Sequence, residues 1–175
     1  LKPFLYARAM ENGMIHNHTL LRDVPLRIDD FSPQNFSGRY SGLVRAEDAL
    51  ASSLNIPATK LLQEYGVGNF LGDLQEMNFR HMNRSADDYG LSLILGGGEV
   101  CLWDLARIYA ISAASLSNYH PQGITILENA CDSSQQIFDI ASWWQISEAL
   151  TQVERPEIHS HWKTFASGRR IAWKT

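Results

Sequence analysis

The sequence has 175 residues and is 45% hydrophobic, which is enough for one compact domain with a substantial core. Fifteen Lys and Arg against nineteen Asp and Glu give a net charge of -4, and no long basic run is present, so the footprint of a nucleic-acid-binding protein is missing. No apolar stretch reaches the ~20 residues that a membrane-spanning helix needs, and no membrane segment is predicted in these residues. Cys101 and Cys131 lack C-x-x-C spacing, which leaves their pairing open.

The first half of the chain is predicted to form three helices with a long connection after the first. Apolar residues at helical spacing open the chain, and Gly13 can end this helix. Across residues 14–44 the periodicity lapses into short β-like pieces separated by Pro and Gly. Helices return at residues 46–51 and, with Pro57 in a first turn, up to Tyr65. Ser53-Leu54-Asn55 therefore lies between two helices.

The second half is predicted to contain three more helices. A short one covers residues 69–77, and the clearest amphipathic one is expected to bury its stripe of Leu102, Leu105, Ala106, Tyr109 and Ala113. After a strand or extended turn at residues 123–127, a helix over residues 136–153 is expected to bury Trp144. Residues 170–175 alternate as in a strand. The chain therefore predicts one compact, mainly helical unit.

Three short motifs stand in a defined order: Leu1-Lys2-Pro3-Phe4, Ser53-Leu54-Asn55 and Trp173-Lys174-Thr175. Serine acyltransferases of the penicillin-binding class use S-x-x-K, S-x-N and K-T-G in this order. Each motif alone is weak, because an S-x-N triplet or a Lys-Thr pair is frequent by chance and usually marks a turn or a surface dipeptide. Their order and surroundings make them informative together.

The surroundings resemble class A penicillin-binding proteins, especially those of the 1C type, in the segments LKPFLYA, SPQNFSGRYSG, ALASSLNIPA, LSLILGGGEVCLWDLARIYA and RRIAWKT. In that family LKPF follows a Ser-Thr pair whose serine is the nucleophile, and AWKT continues into Gly-Thr-Ser. Neither continuation is among these residues. The resemblance implies that residues 1–175 are the interior of one transpeptidase domain, from just after the nucleophilic serine to the start of the K-T-G motif, without the glycosyltransferase domain and the anchor.

The resemblance also implies the fold. It is an α/β fold of the β-lactamase and transpeptidase type, in which helices flank an antiparallel sheet. The 175 residues themselves are expected to be helix-rich with few strands, and to leave an apolar surface exposed where the sheet would pack.

By the same resemblance the protein is a serine-type D,D-transpeptidase of peptidoglycan synthesis. The serine would attack the D-Ala-D-Ala bond of a stem peptide, release D-alanine and pass the acyl group to an amine of another stem. β-Lactam antibiotics would acylate the same serine, and other cell-wall synthesis proteins are further candidate partners. No metal and no cofactor is implied. The expected location is the bacterial periplasm or the outer face of the cytoplasmic membrane, reached through an anchor in the parent protein.

The candidate site residues have physical reasons of their own. A serine hydroxyl needs an adjacent base, and a lysine at i+3 on the same helix face can serve when its pKa is depressed, which assigns this role to Lys2. Ser53 can relay a proton to the leaving amine, and the Asn55 amide can bind a peptide backbone. Lys174 would place charge near the substrate carboxylate and oxyanion, with Thr175 adding a hydroxyl contact.

From the sequence alone, these residues can also have ordinary structural roles. The two lysines can be solvated surface or edge-strand residues, and Ser and Asn commonly cap helices or form turns. His16 and His18, like His159 and His161, form H-x-H pairs without a suitable third ligand, so no metal site is predicted.

Two alternatives concern the whole chain. One is a degenerate, non-catalytic scaffold of the same superfamily, and the other is a soluble β-lactamase, which the flanking segments match less well. With the nucleophile outside these residues, the isolated chain is expected to be inactive.

Overall fold

The computed structural model describes residues 1–117, 136–152 and 172–174. In these ranges helices predominate, as expected, and one two-stranded sheet is present. The helices are α1 (Lys2–Glu11), α2 (Ala46–Ala51), α3 (Asn55–Tyr65), α4 (Val67–Glu76), α5 (Ala86–Tyr89), a 3₁₀ helix (Gly90–Leu95), α6 (Leu102–Ser117) and α7 (Ile140–Thr151). The strands are β1 (Leu20–Asp23) and β2 (Gly42–Arg45).

Helix α1 lies at the centre of the core. It is buried almost all round, which is the pattern of a helix enclosed by others, and it packs against α2, α3 and α7. Phe4 organises an aromatic cluster whose other members are Phe79, Tyr109, Phe138 and Trp143. The rings of Phe138 and Trp143 stack with their centroids 4.9 Å apart. Because α1 is held on several sides, the side chains at its first turn have a fixed position.

The sheet closes the long connection between α1 and α2. Strands β1 and β2 are antiparallel, with Leu20 opposite Arg45 and Asp23 opposite Gly42. Residues 24–41 form the loop between the strands, and a single bridge pairs Ile28 with Phe31 inside it. The strand pairing therefore returns both ends of this loop to one place, beside the start of α3.

Two predictions about buried faces need correction. On α6, Leu105 and Tyr109 pack against the core as predicted. Leu102, however, is 80% exposed, Ala106 and Ala113 are exposed as well, and Asp104 is buried. Asp104 can be buried because the Arg80 guanidinium binds it, with Nη2 2.9 Å from Oδ1. An apolar stripe in the sequence cannot reveal such a compensating partner.

The second error lies on α7. Trp143 is 3% exposed and joins the aromatic cluster, whereas Trp144, predicted to be buried, is 56% exposed. Successive helical residues point ~100° apart, so only one of the two adjacent tryptophans can face the core.

Several predicted features fall outside the described residues. These are the strand or turn at 123–127, Cys131, His159 and His161, and the ends of the strand at 170–175, including Thr175. Of that last segment, residues 172–174 carry no strand assignment, and the Trp173 amide donates to the Leu150 carbonyl at 3.3 Å. Among the helices that the structure describes, none has the length and apolarity to cross a membrane.

Candidate active site

The Lys2 ammonium joins the first and second sequence motifs. Its Nζ donates to the Ser53 carbonyl at 2.7 Å, to Asn55 Oδ1 at 2.7 Å and to Ser53 Oγ at 3.3 Å. Lys2 is 51 positions from Ser53 and 53 from Asn55, and the three residues meet because α1 packs against α3. Lys2, Ser53 and Asn55 therefore form one cluster, which we call the lysine cluster.

Lys2 is an unusual lysine because it is buried. Its side chain lies at the first turn of α1, and the residue is 9% exposed. Burial, with the nearby positive charge of Lys174 as a second cause, lowers the pKa of Lys2 from its usual 10.5 to about 8. An amine with such a pKa is partly neutral near neutral pH and can accept a proton from a hydroxyl.

Ser53 has a strained backbone in the turn between α2 and α3. Its φ is +55°, a left-handed conformation that costs a non-glycine residue ~1–2 kcal/mol. This conformation presents both the carbonyl and the hydroxyl of Ser53 to Lys2. The S-x-N pattern does not predict this strained backbone, because serine does not favour a left-handed conformation.

Asn55 is the first residue of α3, and both ends of its side-chain amide are engaged. Oδ1 accepts from Lys2 at 2.7 Å, and Nδ2 donates to the Gln34 carbonyl at 2.7 Å. Its backbone carbonyl accepts from the Thr59 hydroxyl at 2.9 Å. The amide is therefore oriented by the loop on one side and by the lysine on the other.

Lys174, in the third motif, is half-buried, and burial lowers its pKa to about 8. Its charge is the second cause of the lowered pKa of Lys2. Thr175 lies outside the described residues.

Two further polar residues beside this cluster were not predicted. Asn35, 4% exposed, and Asp23, fully buried, connect the loop to the start of α3. Asp23 has no sequence signal beyond its place near turn residues, and Asn35 lies in the segment SPQNFSGRYSG, which carries the resemblance but assigns it no role. Their contacts span 12 and 20 residues, so the sequence pattern does not reveal them. In the described part of the chain, no three His, Cys, Asp or Glu side chains are grouped to hold a metal ion.

The two buried lysines predict a characteristic pH dependence of stability. Because the pKa of Lys2 and of Lys174 is about 8 in the fold and 10.5 ordinarily, the unfolded state binds more protons between these values. The free energy of unfolding therefore rises with pH in this window. Burial raises the pKa of Tyr6, of Tyr65 and, to about 12, of Tyr109, so stability falls again above ~pH 10.

We expect urea unfolding at a series of pH values to give a maximum of stability near ~pH 10. Lys2→Met should weaken the rise between pH 8 and 10, because one of the two titrating lysines is removed. Lys60→Met, a change on α3 outside the cluster, should leave the rise intact. A stability that falls steadily from pH 8 upward would contradict the buried position of both lysines.

Comparisons with known proteins identify relatives of this chain. No protein-family model matches it. Penicillin-binding protein 1C of Escherichia coli K12 is 39% identical over 113 residues, which is 65% of this chain and 15% of that protein. Penicillin-binding protein 1A of Neisseria cinerea is 31% identical over 119 residues, which is 64% of this chain and 14% of that protein. The chain thus spans about a seventh of the length of these curated relatives.

Solved structures of penicillin-binding proteins also match this chain. Penicillin-binding protein 1A of Haemophilus influenzae matches with a TM-score of 0.55 at 31% identity, covering 63% of this chain and 17% of that one. PonA1 of Mycobacterium tuberculosis matches with a TM-score of 0.68 at 21% identity, covering 87% and 46%. The second match concerns the fold alone. Together the relatives confirm the resemblance to class A penicillin-binding proteins.

Proposed function

We infer that this relative of the class A penicillin-binding proteins is the interior of one D,D-transpeptidase domain. Residues 1–175 would run from just after a nucleophilic serine to the start of a K-T-G motif. The parent protein would then be a bifunctional glycosyltransferase and transpeptidase of bacterial cell-wall synthesis. The observation that carries this proposal is the contact of Lys2 Nζ with Ser53 and Asn55.

The contact supports an S-x-x-K mechanism through the geometry of α1. A serine three residues before Lys2 would lie one helical turn away on the same face, within reach of its amine. With a pKa of about 8, Lys2 can take the hydroxyl proton as the serine attacks the D-Ala-D-Ala carbonyl. The bond to the leaving D-alanine then breaks, and the proton passes to its amine through Ser53.

The remaining proposed roles concern binding and charge. Asn55 would hold the peptide backbone of the stem, and Lys174 with Thr175 would face the terminal carboxylate and the developing oxyanion. An amine of a second stem peptide would then release the acyl group. β-Lactams would acylate the same serine, and PonA1, which shares the fold, has been solved in complex with penicillin V. The parent would be anchored at the outer face of the cytoplasmic membrane.

Two experiments test the proposal. The gene should encode Ser-Thr directly before Leu1 and Gly-Thr after Thr175, and an absence of the serine would favour a non-catalytic scaffold instead. The isolated 175 residues should not label covalently with a fluorescent penicillin, because the nucleophile is outside them. Stoichiometric labelling at any serine within the chain would contradict the assigned mechanism, and rapid deacylation by the full-length protein would indicate a β-lactamase.

A further inference from the structure

We propose that Asp23 and Asn35 are a buried positioning pair, which fixes the start of α3 so that Asn55 and Ser53 meet Lys2. Asn35 acts on α3 through the backbone N–H groups of Asn55 and Ile56, and Asp23 acts through Asn35. The inference rests on the proposed function, because it assigns two residues to the support of that site.

Asn35 supplies the cap that α3 lacks. Residue 54, at the N-cap, is a leucine and offers no side-chain acceptor. Asn35 Oδ1 instead accepts from the backbone N–H of Asn55 at 2.8 Å and of Ile56 at 3.3 Å. Since Pro57 has no N–H, this one oxygen serves every N–H of the first three helical positions. A residue 20 positions upstream thus sets the direction in which α3 begins.

Asp23 orients that cap. Asn35 Nδ2 donates to Asp23 Oδ1 at 2.7 Å and to the Arg39 carbonyl at 2.9 Å, which forces Oδ1 of the amide toward α3. The second carboxylate oxygen of Asp23 accepts from the Ser41 N–H at 2.8 Å. A fully buried carboxylate is costly unless donors such as these bind it. Asp23, at one end of the loop, thus also binds Ser41 at the other end.

The chain of contacts ends at the lysine amine. Asn35 holds the Asn55 backbone, Asn55 Oδ1 accepts from Lys2, and the preceding turn brings Ser53 to the same amine. The charge of Lys174, in the C-terminal segment, also acts on the pKa of Lys2 and lowers it. If Asn35 loses its acceptor, the Asn55 contact with Lys2 is released and the charged form of the amine loses a partner.

The test uses the full-length gene product and compares Asn35→Leu with Asn69→Leu. Asn69 also donates from its side chain to a backbone carbonyl, that of Tyr65 at 2.8 Å, but lies on α4 away from the cluster. We expect Asn35→Leu to slow acylation by a fluorescent penicillin at least ~10-fold, equivalent to ~1.4 kcal/mol, and to move the acidic limb of the pH profile to lower pH. Asn69→Leu should change neither.

A rescue separates positioning from loss of folding. In the exchange variant Asp23→Asn with Asn35→Asp, an amide donor and a carboxylate face each other again and the carboxylate can cap α3, although the Arg39 carbonyl loses its donor. The exchange variant should acylate faster than Asn35→Asp alone, in which two carboxylates face each other. The proposal would be overturned if the acylation rate of Asn35→Leu fell only in proportion to its folded fraction, with the acidic limb of the pH profile unmoved. An exchange variant no faster than Asn35→Asp would overturn it as well.

Failure of the proposed function has a different signature, since the unmodified protein would then not be acylated at all. The positioning pair is in that case tested by NMR titration of the Lys2 amine in lysine-labelled protein. Asn35→Leu should lower its pKa, and an unchanged pKa would overturn the inference.

Discussion

Replacement of Lys2 by methionine in the full-length protein is expected to slow acylation by penicillin ~10²- to 10⁴-fold, the range typical of a general base. The physical reason is that burial lowers the pKa of Lys2 to about 8, so that the amine can be neutral, while its contacts with Ser53 and Asn55 hold it in place. Methionine keeps the length and the apolar stem but cannot accept a proton. The measurement is the second-order acylation rate, with circular dichroism to show that the variant is folded.

The matched control for Lys2→Met is Lys60→Met. Lys60 lies on α3, the helix that carries Asn55, and is partly buried. Its replacement should change the acylation rate by less than about twofold, because Lys60 lies outside the lysine cluster. Equal effects of the two substitutions would show that Lys2 acts through net charge or stability, and would contradict its assignment as base.

Two substitutions of Ser53 should lower activity equally but differ in stability. Ser53→Ala and Ser53→Gly should both slow acylation ~10²-fold, because neither retains the hydroxyl that would relay the proton. Since the φ of +55° strains any residue with a Cβ, Ser53→Gly should be about 1 kcal/mol more stable than Ser53→Ala. Acylation rates and urea unfolding of the two variants provide the measurements.

Ser52→Ala is the control for this pair of variants. Ser52 is the neighbouring serine, is exposed and has an ordinary φ of -76°. Its substitution should alter neither quantity. If Ser53→Gly were less stable than Ser53→Ala, the left-handed conformation would be wrong, and full activity of Ser53→Ala would remove the hydroxyl from the mechanism.

Local features of the fold could be predicted from the sequence. Apolar spacing predicted α1 and α2, and Pro57 indicated the first turn of α3, because these signals arise within one helical turn. The buried faces of α6 and α7 could not be predicted in the same way. They depend on partners elsewhere in the chain, such as Arg80 for Asp104.

In the candidate site, too, local motifs could be identified from the sequence and a long-range contact could not. The motif residues Lys2, Ser53, Asn55 and Lys174 were identified by resemblance, and the structure brings the first three into contact, while their roles stay predictions. The support of Asn55 by Asn35 could not be found, because a loop without periodicity gives no information on a hydrogen bond across 20 residues.

The most direct test of the central claim is covalent labelling of the full-length protein with a penicillin, followed by mass spectrometry of its proteolytic peptides. We predict one penicilloyl adduct on the serine three residues before Lys2, at the position one helical turn from the buried amine. No adduct at all, or an adduct on a serine remote from Lys2, Ser53 and Asn55, would contradict the assignment of this chain to a transpeptidase active site.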